Sequence, residues 1–355
     1  MILTCRYPVP GLGRLEVLNL DEVSLNDYWK RLFYFDAGNI RRYLEESRGS
    51  AGSGPPVSYK DMVTLQYRLL GGNYRVLEFF NRFARERPEQ IKRAVQSLEA
   101  FQKETREVLE KTGEKMKENL FFERLAGLLE AEEREVLGIL SGFRVPVLPK
   151  ALEMQADAGG SFKMDHSRLP PVFAVLHRYT LIEVSGEGDE EYYYATPIVR
   201  QLVGESGGFS HPEAGKYFRY VVEEMEGGVK ADEEAFYHFH HCGDVERVGE
   251  IGDRLSDNYY ENYIYANAFY YADAVYRLSG EKTPAKVLNL LGLFYDLYGK
   301  YDQALELFEN ARFRFQQLKD KKGEGTTLNN IAGIHQARGD YDTALEYLEQ
   351  SLKIK

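Results

Sequence analysis

Leu328-Asn329-Asn330-Ile331-Ala332, with His335 one turn on, restates 40 residues later the pattern Leu288, Leu291, Gly292 and Tyr295. A turn follows each copy, Gly299-Lys300-Tyr301-Asp302 and Gly339-Asp340-Tyr341-Asp342. Beyond it Ala304, Leu305, Phe308 and Ala311 recur as Ala344, Leu345, Leu348 and Ser351. Spacings of three, four and seven set each group on one helical face, with a small residue wherever two helix backbones approach closely. Glycine at 299 and 339 ends the first helix of each copy and admits φ > 0. The spacing therefore predicts two helix pairs over residues 285–355. A pair with one apolar stripe cannot bury it alone, so such pairs stack into a solenoid.

These two copies resemble a tetratricopeptide (TPR) tandem of the long-repeat kind, and the run from Leu328 to Ala332 is similar to kinesin-light-chain-like repeats. The resemblance implies a concave face that grips a protein or peptide partner. In similar TPR proteins, asparagines on the first helices clamp the backbone of a bound peptide, since an amide both donates and accepts. Asn289, Asn329 and Asn330 hold such positions; a solvated helix face is the alternative reading of the same residues. Tyr295, Tyr298, Tyr301, Tyr341 and Tyr347 read as repeat core rather than ligand contacts.

Bulk properties bound the rest. A chain of 355 residues, 43% hydrophobic and 28% charged, fits two or three globular domains. A net charge of −11 disfavours nucleic acid or an anionic membrane as main partner, because binding there is driven by neutralising phosphates. Cys5 and Cys242 stand far apart, so no disulfide framework is written and a reducing cytoplasm is the expected home. Neither a secretory leader nor a membrane-length apolar run is expected.

At the start, Met1 to Pro8 reads as a short strand, Leu15 to Leu20 as another extended segment, and Ser24 as the cap of a helix carrying Leu25, Tyr28, Trp29 and Leu32. Ser47 to Pro56 is a Gly, Ser and Pro-rich loop. Leu69-Leu70-Gly71-Gly72-Asn73-Tyr74-Arg75 then reads as a helix, a glycine break and a second helix. In that order the N-terminal third resembles the downstream end of a STAND-type (signal-transduction) ATPase of the AAA+ relatives. The resemblance makes Thr4 and Arg6 a sensor strand, with Arg6 near the γ-phosphate, and Gly71, Gly72, Asn73 and Arg75 the turn that begins a helical lid. Tyr74 stands where that family has proline. No G-x-x-x-x-G-K-[ST] loop occurs in the chain, and Gly11 and Gly13 lead into Arg14 and Leu15 with no lysine or hydroxyl in place. The expectation is a catalytically inert part of a split or truncated STAND protein. It needs no cofactor of its own, and ATP or ADP would bind only with a nucleotide core supplied from elsewhere.

Pro88 to Leu129 reads as two helices broken near Gly113. Glu132 to Leu140, Pro146 to Met154 and Leu169 to Arg178 read as helices, and Thr180 to Val184 with Tyr192 to Thr196 as a hairpin; that order describes a winged helix, which follows the lid in STAND proteins. Thr196 occupies the place of a nucleotide-sensing histidine found in relatives. DNA binding is the alternative that a winged helix raises, but the candidate recognition helix, Leu169 to Arg178, is largely apolar. The wing tip holds Glu187, Asp189, Glu190 and Glu191, and Lys117 to Glu205 carries about −6 net, the wrong sign for a phosphate clamp.

Pro212 to Leu278 reads as helical without a clean repeat, with Glu234 to Cys242 and Tyr265 to Leu278 as degenerate TPR-like helices. His238, His240, His241 and Cys242 form the one metal-like constellation, but no second ligand pair stands at a recognised spacing and no metal site is assigned.

The expected protein is mainly α. It comprises the end of an ATPase core (residues 1–46), a loop (47–58), a helical lid and connecting helix (59–116), a winged helix (117–206), degenerate TPR-like helices (207–284) and two TPR repeats (285–355). The expected function is a non-enzymatic regulatory module whose TPR groove binds protein or peptide. The alternatives are an ATP-dependent switch completed by another polypeptide, and a winged-helix DNA-binding regulator. Both ends read as cut, so self-association through an uncovered apolar face is also expected.

Overall fold

The structure is a computed structural model that describes residues 38–47, 61, 64–66, 69, 74–111, 124, 127–157, 166–186, 191–203 and 209–354. The opening strand with Thr4 and Arg6, the helix after Ser24, the loop at 48–58, the Gly71-Gly72-Asn73 turn, the break near Gly113 and the wing-tip residues Glu187, Asp189 and Glu190 lie outside these residues. The chain divides into two compact units, residues 1–146 with 164–207, and residues 147–163 with 208–355.

The first unit is built from α1 (Gly38–Ser47), α2 (Tyr74–Glu86), α3 (Ile91–Lys111), α4 (Ala131–Gly142) and α6 (Leu169–Arg178), then β1 (Ile182–Ser185), β2 (Tyr192–Ala195) and α7 (Pro197–Val203). Helix α2 buries Val76, Phe79, Phe80 and Phe83, an i, i+3, i+4, i+7 stripe, and each ring contributes about 2 kcal/mol on leaving water. Tyr179 closes that stripe edge-on, its ring 5.6 Å from Phe79, and burial pushes its phenol up to about 12. Where α2 ends, Arg87 pairs with the buried Glu133 of α4, whose other carboxylate oxygen accepts from the Glu130 backbone N–H at 2.9 Å. The strands form an antiparallel hairpin in the register Ile182 to Ala195 and Val184 to Tyr193, against which α4 and α6 pack. Helix α6, the candidate recognition helix, buries Leu169, Val172, Phe173 and Leu176, and Phe173 stacks on Tyr193 at 3.9 Å. Residues 147–163, grouped with the hairpin in the sequence reading, cluster instead with the second unit. There α5 (Pro149–Asp157) packs on α8, and the Leu148 backbone N–H donates to the Tyr217 hydroxyl at 3.0 Å.

The rest of the second unit is a succession of helix pairs: α8 (His211–Glu224) with α9 (Gly228–His241), α10 (Val245–Glu261) with α11 (Tyr265–Ser279), α12 (Ala285–Leu297) with α13 (Tyr301–Leu318), and α14 (Lys321–Ala337) with α15 (Tyr341–Ile354). Gly243, Gly299 and Gly339 follow the first helix or close the turn before the next one at φ of +72°, +69° and +79°. Asp244 and Asp320 cap α10 and α14 by accepting from the backbone N–H of Arg247 and Gly323. Each second helix packs on the next first helix, and α10 touches α12 and α12 touches α14 more than successive second helices touch each other, so the row of first helices lies on the inner side.

The region from Pro212 to Leu278, expected to hold degenerate TPR-like helices without a clean repeat, keeps the 40-residue offset in one first helix and loses it in the second. Val248, Ile251, Gly252 and Leu255 precede Leu288, Leu291, Gly292 and Tyr295 by the same 40 residues, and the three apolar side chains of the first set are buried. The second helix breaks the register: Ala268, Ala272 and Val275 stand 36 residues, not 40, before Ala304, Phe308 and Ala311, because α10 runs one turn longer than α12. Between the clear copies, Ala304, Phe308, Ile331 and Ile334 form a buried cluster flanked by Tyr295, Tyr301 and Tyr347, as expected of core; Tyr298 and Tyr341 are exposed.

Candidate functional site

Leu288 and Leu291 point into the repeat core, which turns Asn289 toward the inner row. Its Oδ1 accepts from Asn330 Nδ2 of α14 at 3.0 Å and lies 3.1 Å from the Thr327 hydroxyl. Thr327 also lies 2.9 Å from the Gly323 carbonyl, and its single proton serves one acceptor at a time. Once the asparagines have paired, Nδ2 of Asn289 and Oδ1 of Asn330, one donor and one acceptor, are left without a partner among the described residues. Those are the groups that an extended peptide backbone answers. Asn329 is exposed and takes no part in this network.

Toward α10 the row is acidic. Asp257 approaches Lys286 of α12 at 3.8 Å, and Asp253 sits one turn before Asp257. Burial, reinforced by the Asp257 charge and opposed by Lys286, pushes the Asp253 carboxyl up to about 6. Burial also raises Asp257 against the pull of Lys286, and raises Asp296 on α12. The sequence reading missed these carboxylates. Their i, i+4 spacing was visible, but their partner stands on another helix.

Of the residues assigned by resemblance to nucleotide sensing, Arg75 lies in the first turn of α2, while Arg6, Gly72 and Asn73 fall outside the described residues. The histidines converge differently from a ligand set. His238 Nδ1 meets His211 Nδ1 at 2.9 Å, His211 stacks on His241 at 4.7 Å, and Cys242 Sγ donates to the Phe239 carbonyl. Among the described residues no three His, Cys, Asp or Glu side chains are placed to hold a metal ion. No helix among them is long and apolar enough to cross a membrane.

Residues 283–355 match the tetratricopeptide repeat family. The TPR segment thus spans α12 to α15 and holds Asn289, Asn329 and Asn330, in an architecture that serves protein interaction. Among solved structures, the chain is similar to a STAND protein with a tetratricopeptide repeat sensor from Pyrococcus horikoshii, at 16% identity and a TM-score of 0.28, covering 95% of this chain and 54% of that one. This chain therefore spans about half the length of that protein. No curated protein matches.

Proposed function

We propose that this chain is a regulatory, non-enzymatic interaction module of the cytoplasm whose TPR groove holds an extended protein segment across α12 and α14. The observation that carries this reading is the Asn289–Asn330 pair, which presents one unmet donor and one unmet acceptor on the inner row. The purified chain, screened on an array of extended peptides, is expected to select a subset. Asn289→Ala and Asn330→Ala should each weaken those peptides by roughly fivefold, since a lost amide contact contributes about 1 kcal/mol. Selected peptides that bind both variants as tightly as the parent would refute the groove.

The motif residues Thr4, Arg6, Gly71, Gly72, Asn73 and Arg75 favour a second reading, in which the groove reports to an ATP-dependent signalling switch whose nucleotide core is supplied by another part or polypeptide. On that reading the chain alone turns over no ATP. Turnover by the chain that survives Arg6→Ala with Arg75→Ala would contradict it. DNA regulation is the weakest reading: the apolar face of α6 is core, and Arg168 and Arg178 at its ends pair with Glu132 and Glu86.

A further inference from the structure

The turn between α10 and α11 departs from its repeat equivalents in one residue. The Tyr263 backbone N–H donates to the Tyr260 carbonyl and the Ile264 N–H to the Tyr259 carbonyl, the pattern that Gly299 with Lys300 and Gly339 with Asp340 make in the next two pairs. All three central residues are left-handed, at φ of +61°, +69° and +79°, but here the residue is tyrosine. A bulky side chain is strained in that region, where glycine is not. Packing does not call for it: a Cβ added to Gly299 or Gly339 meets nothing within 4 Å, and Tyr263 stays 79% exposed. The strained turn holds an aromatic ring out in water, which points to a role in binding.

That ring begins a continuous aromatic edge across two helix pairs. Tyr263 meets Tyr265 at 6.2 Å, and Tyr265 meets Tyr260 at 5.5 Å. Tyr260 and Tyr265 both stand edge-on to Phe294, and Phe269 joins Phe294 to Tyr298 at 5.5 and 6.5 Å. Phe294 is buried, whereas Tyr298 is 64% exposed beside the exposed Leu297.

The edge lacks the cations that cover such rings elsewhere in the repeats. Lys300 lies over Tyr295 at 5.4 Å, Arg338 over Tyr301 at 5.6 Å and Arg312 over Tyr347 at 5.9 Å; no cation among the described residues lies over Tyr260, Tyr263, Tyr265 or Tyr298. Between Arg254 and Arg277 the chain carries Asp257, Glu261 and Asp273 and no lysine or arginine. Glu261, two residues before Tyr263, is exposed.

We propose that this edge docks an extended, arginine-rich segment of a partner protein, whose guanidinium groups lie over the exposed tyrosine rings and whose charge answers Glu261. A guanidinium stacks flat on an aromatic face and is more weakly hydrated than an ammonium, so arginine is favoured over lysine. Nucleic acid also stacks on tyrosines, but it would bring phosphates against these carboxylates. The edge lies at the turns, apart from the asparagine pair, and does not depend on it.

The test is fluorescence anisotropy of a labelled peptide of alternating arginine and serine, titrated with the full chain. The same peptide with lysine or citrulline in place of arginine, and a single-stranded oligothymidylate, serve as comparisons. Saturable binding of the arginine peptide is expected, weaker by severalfold with lysine and weaker still with citrulline. Tyr263→Gly and Tyr298→Ala should each weaken it about twofold to fivefold, and both together about tenfold, as exposed cation–π contacts imply. Tyr263→Gly also relieves the left-handed backbone, so its melting temperature should equal or exceed the parent's, which separates lost binding from lost fold. The proposal is overturned if the arginine peptide does not saturate at submillimolar protein, if the lysine peptide binds equally well, or if the double variant binds like the parent. A Tyr263→Gly protein that melts below the parent makes the ring structural and overturns it too, as does oligothymidylate that displaces the peptide. Asn289→Ala should leave the affinity for the arginine peptide unchanged; a loss there would put the peptide in the groove and overturn the edge, so the two surfaces are decided separately.

Discussion

Gly292 and Gly333 lie in successive first helices, and the same substitution should move stability in opposite directions. An ideal Cβ at Gly292 would lie 2.5 Å from Cε1, 2.7 Å from Cδ1 and 2.9 Å from Cζ of Phe308. That ring is fully buried against Ala304, Ile331 and Ile334, so it cannot step aside without displacing α14. Overpacking of this kind costs about 1–3 kcal/mol, against a helix-propensity gain of about 1 kcal/mol for replacing glycine. Gly292→Ala should therefore lose up to about 2 kcal/mol net, lowering the melting temperature by up to roughly 4–8 °C for a body of this size. At Gly333 an added Cβ meets nothing within 4 Å, so Gly333→Ala should gain up to about 1 kcal/mol. The second repeat supplies a natural precedent: Ala332 occupies the place of Gly292, and Leu348 that of Phe308. Phe308→Leu combined with Gly292→Ala should accordingly recover about 1 kcal/mol relative to the sum of the single changes. Urea and thermal unfolding of the full chain, followed by far-UV circular dichroism, read all four proteins. If both glycine replacements shift stability the same way, or the double variant shows no coupling, the close approach of α12 to Phe308 is wrong.

Other consequences follow from buried polar groups. Asp253 has its folded pKa raised from 3.8 to about 6, so the native state holds its proton more tightly than the unfolded chain and stability falls as pH rises through that window. Asp253→Asn should stabilise the protein at neutral pH by about 1–2 kcal/mol after allowance for partial exposure, with the gain vanishing near pH ~4 in urea titrations across pH. Tyr217→Phe removes the acceptor for the Leu148 N–H and should cost about 1–3 kcal/mol in unfolding experiments. Arg87→Met leaves the Glu133 carboxylate buried without its cation and should cost about 3 kcal/mol, while Arg87→Met with Glu133→Leu recovers most of the loss.

The repeat architecture was legible wherever local and periodic signals agreed. Gly299 and Gly339 carry the positive φ that their turns predict, and Leu288 and Leu328 take equivalent buried positions. The copy before them reads as degenerate because its first helix keeps the 40-residue offset and its second does not. One extra turn at the end of α10, through Asn258 to Glu261, shifts Ala268 and Ala272 by four residues while leaving the first helix in register. A four-residue insertion in a helix nearly preserves its face, since 3.6 residues complete a turn, so the fold tolerates what a fixed-period comparison does not.

The asparagines show a deeper limit. Asn329, not Asn330, is the repeat equivalent of Asn289, 40 residues on, and equivalence made both look alike as groove residues. Yet equivalent positions in stacked units point the same way and therefore cannot point at each other. The residue that meets Asn289 must lie on the flank of α14 turned back toward α12, about 100° around the helix from the equivalent position, and that is the next residue in the chain. Asn330 meets that condition and Asn329 faces solvent. The same geometry should govern Lys286, whose repeat equivalent is Thr326 but whose observed partner is Asp257 of the preceding first helix. Contacts that run along the inner row thus join non-equivalent positions, and a groove built from them changes its chemistry at every step, acidic beside α10 and amide beside α14, although the helices that carry it repeat.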